Sequence, residues 1–130
     1  MKDKKSFNKW NRKKKKIHYD KERPFFDVRE VWFAHLGANV GYEQDGSGGE
    51  FLRPVVVVKK FNNEIGWILP LTKTRKDNKY YFRVDFKAGE SRVILSQIKL
   101  LDVKRLKYKA GYLSEEEFTE LKKRLRDFLS

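Results

Sequence analysis

The chain has 130 residues, a formal net charge of +13, 38% charged and 15% aromatic residues, and no cysteine. That length makes one compact domain with at most a short appendage, and a basic, aromatic-rich surface points to a polyanion, most often nucleic acid. The missing thiols exclude disulfides, a cysteine nucleophile and a Cys-type zinc site, and no apolar run approaches the ~20 residues of a membrane span.

Residues 1–23 hold 11 Lys/Arg against 3 Asp/Glu, so +8 of the excess lies in the first fifth of the chain. The expected division is a basic extension over 1–24 and a core domain over 25–130. The lysines have no apolar core of signal-peptide length behind them, so a soluble, cytoplasmic protein is expected. Within 5–18, Phe7, Trp10, Lys14 and Ile17 recur at helical spacing. This reads either as a short amphipathic helix docking through Trp10 or as a disordered basic tail, which the Lys13–Lys16 block favours. Arg23–Pro24 ends any helix.

Val28–Leu36 is apolar enough for a first strand, and His35 reads there as a strand residue rather than a catalytic base. His18 and His35 do not make a metal site by themselves, and no cofactor is expected. A glycine-rich loop follows, carrying Glu43–Gln44 and then Gly46, Gly48 and Gly49. It ends on Arg53–Pro54 and enters Val55–Val58, a run of β-branched residues suited to a buried strand. Asn62–Asn63 turns the chain into a strand over Trp67–Thr72. Lys73–Lys79 is polar and basic, with a turn at Asp77–Asn78. Tyr80–Phe86 alternates as a half-buried strand, Ala88–Gly89 turns again, and Val93–Leu101 is one further strand with Ser96–Gln97 at its middle. Lys104–Lys109 is a basic run ending at Gly111. Ser114 and Glu117 form a capping box for a helix with Phe118, Leu121, Leu125 and Phe128–Leu129 on one stripe. Five or six short strands and a C-terminal helix predict a small, strongly bent antiparallel barrel.

Two strand ends carry the chemistry. Arg53 stands before the valine strand, where a guanidinium with its fork of donors can be aimed at a phosphate. A surface arginine closing a hairpin would look the same locally. Thr72 stands at the end of the next strand. In a small barrel such termini converge on one rim, where guanidinium and hydroxyl can grip one phosphodiester, bordered by Ser96–Gln97 and the glycine loop.

The series GYEQ, RPVVVV, PLTK and ILSQIKLLDVKRL, with a final helix after Gly111, resembles the MazF/PemK family of toxin endoribonucleases over about residues 28–130. The resemblance implies an SH3-like barrel with a C-terminal helix, a homodimer, and metal-independent cleavage of single-stranded RNA at short sequences. It also implies a cognate antitoxin as partner, usually with an acidic tail. Arg53 matches the arginine of the RP motif that stabilises the reacting phosphate, and Thr72 the threonine whose hydroxyl binds it. Glu43 and Gln44 match the pair at the base of the gating loop; beyond the resemblance, Glu43 is the candidate general base, with orienting the loop as its alternative role. Gln97 and Arg105 match later positions. With Gln44, Lys73 and Arg75 they form the expected RNA-binding set.

Two departures stand out. The segment from Glu43 to Arg53 is longer than the family's usual spacing, and Ile94 and Ser96 occupy positions where the PemK branch has an acid–base Arg and Asp. The first rival is a non-catalytic RNA-binding barrel. A gyrase poison of the related CcdB type needs a C-terminal Trp-Gly-Ile, whereas this chain ends Phe128-Leu129-Ser130.

Overall fold

A computed structural model describes residues 7–19, 23–37, 52–86 and 89–130. Helix α1 spans Phe7–Tyr19. Strands β1 (Glu30–His35), β2 (Leu52–Lys60), β3 (Ile65–Thr72), β4 (Tyr81–Phe86), β5 (Gly89–Ile94), β6 (Lys99–Asp102) and β7 (Leu106–Tyr112) follow, and helix α2 (Glu115–Leu129) closes the chain. All strand pairings are antiparallel, in the order β4-β5-β3-β2-β1-β7, with β6 on the far half of β3. The result is a small bent half-barrel with a C-terminal helix, of the expected class, with seven strands among the described residues where five or six were expected.

The four valines have a simple cause. Val56 and Val58 pack with Leu69, Leu71, Val93 and the α2 residues Phe118, Leu121 and Leu125. Val55 and Val57 point the other way, among Phe26, Trp32, Ala34, Ile68 and Leu106. A strand covered on both faces reads as an unbroken apolar run rather than an alternating one. Half of the expected capping box forms: the Ser114 hydroxyl accepts from Glu117 N at 3.1 Å, while the Glu117 carboxylate accepts from Asp85 N of β4 at 2.8 Å.

Three expectations need correction. Val93–Leu101 is not one strand. β5 ends at Ile94, a 3-10 turn covers Leu95–Gln97, and β6 starts at Lys99. The break follows from pairing, because β5 joins Leu71–Thr72 whereas β6 joins Ile65–Ile68 of the same strand β3. One straight segment cannot lie beside both halves of a bent strand. Next, the basic run after Lys104 contains a strand, β7, whose alternating lysines face outward while its backbone pairs with β1. Last, the first strand begins at Glu30 rather than Val28, since Arg29 takes a positive φ of 75° and turns the chain there. The expected turn at Ala88–Gly89 lies partly outside the described residues, and Gly89 opens β5.

Of the two readings of the extension, the structure has the helix. Trp10 is its buried residue and sits on Gly37, whose φ of 78° and bare Cα leave room for the indole. Among the described residues, no helix is long and apolar enough to cross a membrane.

Candidate active site

Strand register brings the two proposed phosphate contacts to one rim. Two residues beyond the last β2–β3 pair, Val55–Pro70, stand Arg53 on one strand and Thr72 on the other. Thr72 pairs on its far side with Arg92 of β5, Arg53 pairs with Ala34 of β1, and Ala34 with Leu106 of β7. A row therefore crosses the sheet through Arg92, Thr72, Arg53, Ala34 and Leu106. Alternation along β2 puts Arg53 on the face of Val55 and Val57 rather than the face covered by α2. Arg53 is half-buried, which restricts the rotamers of a long side chain and aims it.

The Thr72 hydroxyl donates to Thr74 Oγ1 at 3.1 Å and accepts from Thr74 N at 3.2 Å, a small turn that fixes where it points. Lys73 and Arg75 follow on the exposed segment past that turn. Gln97 is half-buried on the 3-10 turn between β5 and β6 rather than inside a strand. Glu43 and Gln44, with the glycine loop, lie outside the described residues. Arg105 donates to the backbone oxygen of His35 at 3.1 Å and lies 5.5 Å from the Trp10 ring centroid. Burial pulls its pKa below the ordinary arginine value, with Asp102 pushing back. His35 is buried on the opposite side of β1 from Ala34 and Leu36, so its side chain leaves the row that holds Arg53.

Arg92 escaped the sequence reading. It is only 6% exposed, yet its guanidinium reaches Asp77 at 3.1 Å and Glu90 at 3.4 Å, and donates to Lys76 O at 3.3 Å. It thus pins the basic segment after Thr72 to the strand beside Thr72. The available signal was its place two positions before Ile94, in a segment, GESRVIL, whose other interior residues are small or apolar. Among the described residues, no group of three His, Asp or Glu side chains could hold a metal ion.

Residues 27–129 match the family model described as PemK-like, MazF-like toxin of type II toxin-antitoxin system. No curated protein is significantly similar in sequence. Among solved structures, MazF from Deinococcus radiodurans superposes with a TM-score of 0.67 at 18% identity, covering 83% of this chain and 97% of that one. An endoribonuclease in complex with its cognate antitoxin from a mycobacterial species gives 0.60 at 15% identity, with 82% and 94% covered. The Mycobacterium tuberculosis toxin MazF-mt6 gives 0.59 at 18% identity, with 76% and 94% covered. At these identities the likeness speaks for the fold. Helix α1 lies ahead of the segment that the family model matches.

Proposed function

The chain belongs to the PemK-like, MazF-like toxins of type II toxin-antitoxin systems, and from that membership we propose that it is an endoribonuclease cutting single-stranded RNA at short sequences without a metal. The observation that carries the reading is Arg53 and Thr72 at one rim of the half-barrel, on adjacent strands. The RNA's own 2′-oxygen attacks the neighbouring phosphorus, forming the 2′-O–P bond as the P–O5′ bond breaks. The products are a 2′,3′-cyclic phosphate and, once the leaving O5′ takes a proton from solvent water, a 5′-OH. The barrier lies in charge gathered on the phosphorane oxygens, and a preorganised cation is the usual remedy. Arg53 supplies that cation and the Thr72 hydroxyl a second donor.

Arg53 keeps its proton, so it does not serve as the base. Glu43 is the group assigned to take the 2′-OH proton. Gln44, Lys73, Arg75, Gln97 and Arg105 hold the flanking RNA. The protein acts in the cytoplasm as a homodimer, restrained by a cognate antitoxin whose acidic tail suits a chain of +13.

End-group mapping tests the chemistry. Long single-stranded RNA incubated with the protein in EDTA should yield discrete fragments with cyclic-phosphate and 5′-OH ends. Fragments with 5′-phosphates, or loss of cutting in EDTA, would rule out attack by the 2′-oxygen under Arg53 alone.

A further inference from the structure

The N-terminal helix and the 3-10 turn at Val103–Arg105 enclose a groove of about 310 Å³, walled by Lys14, Lys15, His18, Tyr19, Lys104 and Arg105. We propose that this groove is a second phosphodiester site, which holds single-stranded RNA running on from the bond at Arg53 and Thr72. The proposal rests on the ribonuclease reading above for the direction of the strand.

Four observations carry it. The helix is built to stay in place: Trp10 sits on Gly37 beneath Arg105, Lys104 donates to the helix-terminal oxygen of His18 at 2.8 Å, and Arg23 behind it pairs with Asp102 at 3.2 Å. A docked helix presents fixed charges, whereas a tail would not. The charge is also one-sided, since α1 carries Lys9, Arg12 and Lys13–Lys16 and no acid at all. Asp102, the one acidic group on the groove wall among the described residues, is already committed to Arg23 and to the Lys104 amide at 2.9 Å.

The third observation is the ring pair. Lys14 and His18, like Lys15 and Tyr19, are four residues apart and so share a helix face. Tyr19 is 77% exposed and meets the His18 ring edge-on at 4.9 Å. Lysines beside an exposed aromatic suit a strand that alternates phosphates and unpaired bases, because every base can stack on a ring. The fourth is continuity: Arg105 of the groove bonds His35 O, and His35 pairs with Leu52, the neighbour of Arg53. At ~4.8 Å per strand, the Leu106–Ala34–Arg53 row puts the backbone of Leu106, the residue after Arg105, about 10 Å from that of Arg53.

Binding of 2′-O-methyl oligoribonucleotides, which lack the attacking hydroxyl, tests this with short and long mixed-sequence probes. Wild type should prefer the long probe. In the full chain, Lys14→Glu with Lys15→Glu should weaken the long probe roughly tenfold and reduce the salt slope by about 1.4, two phosphates' worth, while sparing the short probe and its cleavable counterpart. Trp10→Ala, which keeps the charges but undocks the helix, should lose the same preference. Unchanged long-probe binding in the charge variant overturns the proposal. Full retention by Trp10→Ala also does, assigning the affinity to a basic tail. So does loss of oligoglutamate binding with RNA binding intact, which assigns the groove to an acidic protein. A wild type that shows the length preference but cleaves nothing would sink the ribonuclease reading and leave the groove standing.

Discussion

At the scale of single residues, the candidate site is a short sequence of charges and hydroxyls whose order on the sheet matters more than their spacing in the chain. Arg53 and Thr72 were legible because each stands at the end of an unmistakable apolar strand. Arg92 was not legible, since a lone arginine before Val93-Ile94-Leu95 reads as a solvated edge residue. Its pairing with Thr72 and its bonds to Asp77 and Lys76 O reveal its role. On the proposed mechanism, Thr72→Val removes one donor to the phosphate and should lower the cleavage rate by about 10²–10³, with RNA affinity changed far less, read in single-turnover assays. Arg92 is a positioning residue. Arg92→Met should cost about 1–2 kcal/mol in denaturant melts: the guanidinium is buried, but its partner Asp77 is exposed and water screens part of that pair. Arg92→Lys keeps the charge without the planar fork and should recover only part of that loss. Equal loss of activity in Arg92→Lys and Arg92→Met, with stability untouched in both, would mean that the guanidinium acts on RNA directly.

At the scale of elements, patterns with one cause were readable and patterns with two were not. Helix α2 has a cap, an apolar stripe and an end, all local, and its start was visible in Ser114 and Glu117. Ser114→Ala should cost about 1 kcal/mol, measured by thermal or denaturant unfolding. The stretch from Val93 to Leu101 follows the apolar pattern of one strand, yet it serves two halves of β3. The turn between them comes from sheet curvature, which no window of sequence contains. β7 was hidden for the opposite reason, since outward lysines mask a backbone already committed to β1. Docking of α1 hinges on a residue far from it in the chain. Gly37→Ala would overlap the Trp10 indole and force a side chain into positive φ, costing about 1–3 kcal/mol. Trp10 should become solvent-accessible in that variant. Unchanged protection of the Trp10 side chain from oxidative labelling, mapped by mass spectrometry, would contradict the docked geometry.

At the scale of the whole molecule, the sheet separates two tasks. One face builds the core under α2, and the other, over its own smaller core, carries Arg53 and the lysine-rich N-terminal helix. That division explains why the barrel was legible from its strands while the place of the extension was not: a basic helix gives no sign of which face it joins. Asp102 ties that face together through Arg23 and Lys104. Burial, the largest influence, pushes its carboxyl pKa up, but the Lys104 amide and the Arg23 guanidinium outweigh it, and the net shift is downward. The stability it adds is therefore full above about pH 4 and is lost as pH falls through the lowered folded value. Asp102→Asn should flatten the acid limb of the stability curve below about pH 4 and leave the neutral range parallel to wild type. The central claim is that Arg53 drives RNA cleavage. Its most direct test is a single-turnover comparison of wild type and Arg53→Ala on long single-stranded RNA in EDTA, with binding measured alongside. The expected result is discrete cleavage by wild type and a loss of at least about 10²-fold in the variant, which still folds and binds RNA. Wild-type protein that binds varied RNA and leaves it whole, or an Arg53→Ala variant that cuts as well as wild type, would contradict it.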